Sequence, residues 1–227
     1  MKVIAVIPAR YASSRFPGKP LVPIADKPLI LHVVEKVEAA LGKDSTYVAT
    51  DDVRIKDVVE ANGTNVVMTS SDHPTGTDRL WEVAQEIHAD IYINVQGDEP
   101  MINPNDITKI INVKSENPDF IVNGMGNLQE NEDPQNINIP KVLVNSRNDL
   151  IYMSRLAIPG IKSSKVGSPI YKKQICIYAF NYKELEAYGK CSGKAEYEKF
   201  EDIEILRFFD LGMPIKMVEL QKASLAY

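Results

Sequence analysis

The feature that most constrains this chain is an alternation. Short, β-rich apolar runs take turns with longer segments of helical periodicity through the first half. Residues 3–8, 46–50, 65–68 and 91–95 read as strands, and residues 29–41, 55–62 and 78–88 as the helices between them. Strand, helix, strand units whose strands are continuous apolar runs predict an α/β fold with a mostly parallel central sheet flanked by helices. The second half is less regular. Residues 141–145, 175–180 and 215–218 read as strands, residues 196–211 as a polar helix, and the acidic, amide-rich residues 129–138 as a surface loop containing Pro134.

A chain of 227 residues, 44% hydrophobic and 25% charged, has the apolar content for a sizeable core, so one domain over residues 1–227 is expected. The net charge of -5 lacks the basic excess that a phosphate backbone demands, which argues against nucleic acid as a partner. The apolar run at residues 1–8 is far shorter than a membrane span and lacks a secretory cleavage pattern, so no membrane partner is expected. Cys176 and Cys191, the two cysteines, form neither a disulfide framework nor a zinc knuckle, and read as free thiols in a reducing cytoplasm.

Charged and polar residues gather directly after the first, second and fourth strands, the carboxyl edge where open α/β sheets bind ligands. After the first strand stands Ile7-Pro8-Ala9-Arg10-Tyr11-Ala12-Ser13-Ser14-Arg15-Phe16-Pro17-Gly18-Lys19-Pro20-Leu21. A polyphosphate needs backbone N–H donors and cations converging on its oxygens; here an arginine fork and a lysine point charge lie among small residues. The spacing is neither that of a P-loop nor that of a dinucleotide fold. After the fourth strand, Asn94-Val95-Gln96-Gly97-Asp98-Glu99-Pro100 offers Asp98 to hold Mg²⁺ against a triphosphate, since Mg²⁺ takes one or two carboxylates completed by phosphate oxygens and water. Glu99 reads as a turn or capping residue.

A third cluster, Asp72-His73-Pro74-Thr75-Gly76-Thr77-Asp78-Arg79, opens a helix whose free N–H groups suit phosphate or base edges, although Thr77 and Asp78 equally suit an N-cap. Thr50-Asp51-Asp52 is open to the same two readings, and His73 reads as a loop histidine. No histidines are paired at metal-ligand spacing and no Gly-x-Ser-x-Gly elbow is present, so neither a zinc site nor a hydrolase triad has an anchor.

Taken in order and spacing, residues 7–21, Ala49-Thr50-Asp51, residues 73–79 and residues 94–101 resemble the 3-deoxy-manno-octulosonate cytidylyltransferases, also called CMP-Kdo synthetases, with collinear agreement over nearly the whole chain. The resemblance implies a Rossmann-like nucleotidyltransferase fold with a small extension used for a homodimer contact. It implies attack by the anomeric hydroxyl of an acidic 3-deoxy sugar on the α-phosphorus of CTP, with Mg²⁺ required, pyrophosphate leaving, and the product serving lipopolysaccharide or surface glycan synthesis. It carries Arg10, Lys19 and Asp98 over as catalytic, with Asp98 as the metal carboxylate. Ala9, Arg10, Ser13, Ser14, Lys19, Thr50, Thr77, Arg79 and Gln96 fall at nucleotide positions, and Arg15, Lys141, Arg155, Gln174, Tyr178 and Glu204 at sugar positions. Such a displacement needs alignment and neutralised charge more than covalent help.

The chain departs from the pattern in places. The family's His-Leu-Gly-Ile-Tyr is Gln174-Ile175-Cys176-Ile177-Tyr178, and its Glu-Gln pair is Glu204-Ile205. Altered polar contacts allow a different acceptor, an amino-substituted octulosonate or a nonulosonic, neuraminate-type acid. The family continues past the match to Ser224-Leu225-Ala226-Tyr227 into Val-Asp-x-Pro-Glu-Asp-Leu, whose Asp is a second metal carboxylate. On the residues given, Asp98 is expected to hold the metal with water and substrate oxygens, and the rival reading is a CTP-binding protein with impaired catalysis. For Arg155 a surface ion pair is the alternative.

Overall fold

A computed structural model of the chain describes residues 1–12, 16–163, 165 and 167–220. In chain order the elements are β1 (Val3–Ala9), β2 (Pro23–Ile24), β3 (Lys27–Pro28), α1 (Leu29–Leu41), β4 (Thr46–Thr50), α2 (Val53–Ala61), β5 (Asn65–Met68), α3 (Gly76–Glu86), β6 (Ile91–Val95), α4 (Pro104–Glu116), β7 (Ile121–Asn127), β8 (Lys141–Val144), β9 (Leu150–Ser154), β10 (Lys172–Phe180), α5 (Tyr182–Gly189), α6 (Glu196–Glu201), α7 (Ile205–Asp210) and β11 (Ile215–Glu219). A 3-10 turn at Lys19–Leu21 follows β1, and another at Lys43–Ser45 precedes β4.

The main sheet runs β11-β7-β10-β6-β1-β4-β5, with β8 and β9 hung on the start of β10. The wing β6-β1-β4-β5 is parallel throughout, as the alternation predicts. β1, β4 and β6 are apolar because both of their faces are covered, whereas the edge strand β5 leaves Asn65 and Met68 exposed. Along β1, Ile4 and Val6 pack with Leu80, Val83 and Ala84 of α3, whereas Ala5, Ile7 and Ala9 pack with Ile30, Val33, Val34 and Val37 of α1. The chain crosses from β1 to β4 and β5 on one side and returns through α3 to β6 on the other, so the order reverses at β1, and a crevice opens there at the carboxyl edge.

The main sheet is mostly parallel, as expected, with β10 entering antiparallel between β6 and β7. The register of β10 slips between Ile175 and Tyr178, and the buried Asn123 amide of β7 donates to the carbonyls of Ile175 and Ile177 at 3.0 and 2.9 Å. That bulge explains how an Asn- and Gly-containing stretch serves as a central strand. The second half differs from the sequence reading in two ways. The helix expected over residues 196–211 is two helices: Asp202 takes φ 49°, a left-handed residue that closes α6. Finally, α4, α5, β7 and β9 lie where no element was expected, although Asn103 before Pro104 and the reciprocal Asn181/Glu184 capping box are start signals written in the sequence.

Buried charge ties these layers together. Lys114 of α4 donates to both carboxylate oxygens of Glu184 on α5, at 2.7 and 2.8 Å, and to the carbonyls of Pro118 and Phe120. Burial pushes the lysine down and the glutamate up from their ordinary ranges, each favouring its neutral form. The pair survives through its hydrogen bonds rather than through any net gain from burying charge.

Candidate active site at the carboxyl edge

The end of β1, the turn after β6 and the start of α3 converge on one crevice. Gly97 follows β6 so closely on the end of β1 that a Cβ there would stand 2.8 Å from the carbonyl oxygen of Pro8, and a Cβ at Gly76 would stand 3.1 Å from Pro8 Cγ and 3.2 Å from Gln96 Nε2. Glycine at 97 lets that turn close on the backbone of β1, and glycine at 76 lets the start of α3 close on the Pro8 and Gln96 side chains. A cavity of about 170 Å³ results, bounded by Ala9, Arg10, Gly76, Arg79, Gln96 and Glu204, with Lys194 and Asp202 on its far wall.

Lys19 Nζ donates to Asp98 Oδ2, in the turn that follows Gln96, at 2.7 Å, with both side chains partly exposed. The lysine expected at the triphosphate and the carboxylate expected at the metal are thus neighbours, 79 residues apart in sequence. Asp98 is half exposed, an approachable carboxylate next to a lysine, and a carboxylate of that kind would suit a partly hydrated Mg²⁺. Among the described residues, no group of three or more His, Cys, Asp or Glu side chains forms a protein-only metal cage. Exposed Arg10 lines the same cavity. Ser13, Ser14 and Arg15 lie outside the described residues, as does the segment of residues 221–227.

The start of α3 is held from two sides. Thr75 is the N-cap, accepting from Asp78 N–H at 3.1 Å. The free N–H groups of Gly76 and Thr77 donate to Glu204, at 3.1 and 2.9 Å, and the Thr77 hydroxyl adds a third bond at 2.6 Å. Burial pushes the Glu204 carboxyl up, opposed by these donors. Both Thr77 and Glu204 therefore have partners within the protein. Arg79, expected beside the nucleotide, is buried; it donates to the Thr69 hydroxyl and lies 3.7 Å from Asp51, and burial lowers its pKa against the pull of that carboxylate. The Thr50 hydroxyl accepts from Asp52 N–H at 3.2 Å, and Asp52 caps α2, so this motif performs the capping role that the sequence left open.

The residues expected at the sugar divide into two groups. Gln174 and Tyr178 stand on β10 near the crevice, where Gln174 Nε2 donates to the Tyr178 hydroxyl at 3.2 Å and to Asn123 Oδ1 at 3.0 Å. The backbone N–H of Gln96 meets the carbonyl of Cys176 at 3.4 Å, joining this strand to the turn that carries Asp98. Lys141 is fully buried, donating to the carbonyls of Asn136 and Arg155. The Arg155 guanidinium donates to the carbonyls of Ile137 and Asp202 at 2.9 Å each, and to that of Glu201. It forms a clamp on the end of α6 rather than a surface ion pair.

Sequence reasoning missed the network behind α3. Arg207 of α7 is buried and donates to Asp78 at 2.7 Å and to Glu198 at 2.7 and 2.8 Å, with its guanidinium 3.7 Å from the Tyr188 ring centroid. Tyr188 in turn meets Thr75 at 3.1 Å. The Lys194–Asp202 pair, 2.6 Å apart on the cavity wall, was also unassigned. The one available hint was the density of charge between residues 194 and 210.

Comparison with known proteins agrees with this geometry. A 3-deoxy-manno-octulosonate cytidylyltransferase of Escherichia coli is 39% identical over 219 residues, spanning 96% of this chain and 88% of the relative. An 8-amino-3,8-dideoxy-manno-octulosonate cytidylyltransferase of Shewanella frigidimarina is 40% identical over 225 residues, spanning 96% of this chain and 89% of the relative. The solved structure of a CMP:2-keto-3-deoxy-manno-octonic acid synthetase complexed with CTP superposes with a TM-score of 0.91 at 38% identity, covering all of this chain and 93% of that one. The cytidylyltransferase family model matches residues 4–215. The chain belongs to the cytidylyltransferase family and is a CTP-using nucleotidyltransferase.

Proposed function

We propose that this enzyme couples CTP to 3-deoxy-manno-octulosonate, releasing pyrophosphate and giving the CMP-sugar. The observation that carries the reading is the Lys19–Asp98 pair at the switch-point crevice. It sets a phosphate-binding cation beside an approachable carboxylate, in a chain whose relatives carry this activity in their names. The sugar's anomeric oxygen forms a bond to the α-phosphorus as the bond from that phosphorus to the pyrophosphate oxygen breaks. The hydroxyl proton passes to solvent, and charge accumulates on the leaving group. Arg10 and Lys19 orient and neutralise the triphosphate, Gln96 faces the nucleotide across the cavity, and Asp98 would hold Mg²⁺, whose chemistry there would be further neutralisation of phosphate charge. On this reading Arg15, Gln174 and Tyr178 meet the sugar.

The octulosonate and its 8-amino analogue are both acceptors of relatives at 39–40% identity, and Gln174 and Ile205 change two polar positions, so the amino sugar is the second reading. A homodimer is proposed as well, supported by an exposed apolar face: Tyr152 makes edge contacts with Tyr197 and Phe209, and Phe200 is 81% exposed. We place the reaction in the cytoplasm at the start of surface glycan assembly. Among the described residues no helix is long and apolar enough to cross a membrane.

Pyrophosphate release from CTP and Mg²⁺, measured with the octulosonate, its 8-amino analogue and a neuraminate in parallel, tests the reading. Turnover with the octulosonate leading is expected. A lead for either other sugar replaces the acceptor, and CTP binding without release from any of them replaces the enzyme with a binding protein.

A further inference from the structure

The loop between β1 and the Lys19–Leu21 turn has a neck. Gly18 N–H donates to the Tyr11 carbonyl at 2.9 Å, Gly18 takes φ 73°, and a Cβ there would stand 3.1 Å from the Tyr11 ring. Ring and glycine therefore press against each other where the chain leaves and re-enters the loop. Arg10 lies one residue outside this neck and Lys19 one residue beyond it, so the spacing of the two cations depends on the neck staying closed.

A cation from another element sits on the same ring. The Arg54 guanidinium, in the first turn of α2, lies 3.3 Å from the Tyr11 ring centroid. It is aimed by Asp52, whose Oδ1 accepts from Arg54 Nε at 2.9 Å and whose Oδ2 accepts from Nη2 at 2.6 Å. Asp52 is itself fixed as the N-cap of α2 through Arg54 N–H, at 2.9 Å. The buried side chains of α2 are Ile55 and Val59, so its packing does not require the more than half-exposed Arg54.

We propose that Arg54 is a positioning residue for nucleotide transfer: stacked on Tyr11 and held by Asp52, it clamps the neck of the anion loop to α2 and so keeps Arg10 and Lys19 at triphosphate spacing. The inference rests on the reading of this crevice as the CTP site. A clamp formed before the ligand arrives reduces the ordering that binding must impose, so its loss weakens nucleotide affinity more than it slows the chemical step. At an exposed site such stacking is worth roughly a two- to fivefold change in an equilibrium constant.

Five proteins decide it: wild type, Arg54→Ala, Tyr11→Leu, the double variant and, as the conservative control, Arg54→Lys. Each is assayed for CTP affinity by calorimetry, for KM and kcat, and for amide hydrogen exchange over residues 10–19 without ligand. Arg54→Ala is expected to raise Kd and KM for CTP about two- to fivefold with a smaller change in kcat, and to speed exchange over residues 10–19. Arg54→Lys recovers part of the loss, and Arg54→Ala adds nothing once Tyr11 is leucine. Unchanged exchange, or an Arg54→Ala effect that persists undiminished in the Tyr11→Leu background, overturns the clamp. Wild-type protein that binds no CTP would overturn the proposed function instead, and the exchange comparison still decides the clamp.

Discussion

Lys19 and Asp98 hold each other at 2.7 Å, joining the turn after β1's loop to the turn after β6, each the charged partner of the other. On the proposed reading, a triphosphate with its cation would replace that contact with two: phosphate oxygens for the lysine and a metal for the carboxylate. Asp98→Asn is therefore expected to lower pyrophosphate release at least about 100-fold while changing metal-free CTP affinity less than about tenfold, because the lost group acts through the metal. Lys19→Met should instead weaken CTP binding itself by about tenfold, roughly the loss of one charge-assisted contact. Calorimetry beside a release assay separates the two, and equal effects on binding would contradict the division of labour.

Glu204 accepts three hydrogen bonds from the first two residues of α3. Replacing it with alanine leaves those donors unpaired and should cost about 1–3 kcal/mol of stability. The KM for CTP should rise more than the KM for the sugar, since the helix start lines the cavity proposed for the nucleotide. A stable Glu204→Ala protein with only its sugar KM altered would return Glu204 to the role of a direct sugar ligand.

For the buried pair of α4 and α5, removing one partner differs from removing both. Lys114→Met strands the Glu184 carboxylate and should cost about 3–5 kcal/mol, whereas Lys114→Met with Glu184→Leu should recover most of that loss. Urea midpoints of the two variants provide the comparison, and a double variant no better than the single one would mean that the pair is worth more than its desolvation.

Asp149 is held at about 2, below the ordinary 3.8, first by its hydrogen bond from Lys216 and then by Asn145 and Arg147. A carboxyl depressed on folding stabilises the native state above its unfolded pKa and loses that contribution as pH falls through the folded one. The melting-temperature gap between wild type and Asp149→Asn should be constant above about pH 5 and close between pH 4 and 2; a gap that widens on acidification would reverse the assignment.

The parallel wing was legible because each of its strands announces itself. Residues 46–50, 65–68 and 91–95 are apolar runs between helices whose buried spacing is regular, and their bounds coincide with β4, β5 and β6. The central β7 was not, because its sequence, Ile-Val-Asn-Gly-Met-Gly-Asn, mixes in residues that strands avoid; the bulge opposite Asn123 that makes them useful is a property of β10. The cations and the carboxylate of the crevice were legible because they follow strand ends. The partners of Thr77, Arg155 and Lys141 were not, since Glu204, the carbonyl of Asp202 and the carbonyl of Asn136 are chosen by tertiary packing and leave no spacing to read.

The late place of β10 in the chain, beside a strand finished long before it, also sets a timetable. The crevice takes its floor from strands finished by Val95, yet Gln174 and Tyr178 arrive only on a strand that begins at Lys172, and Glu204 comes later still. At a ribosomal pace of about 5–20 residues per second, the nucleotide half exists roughly 4–15 seconds before its β10 wall has been translated. During that interval β6 presents an unpaired edge, an opening through which a nascent chain can mispair or recruit a chaperone.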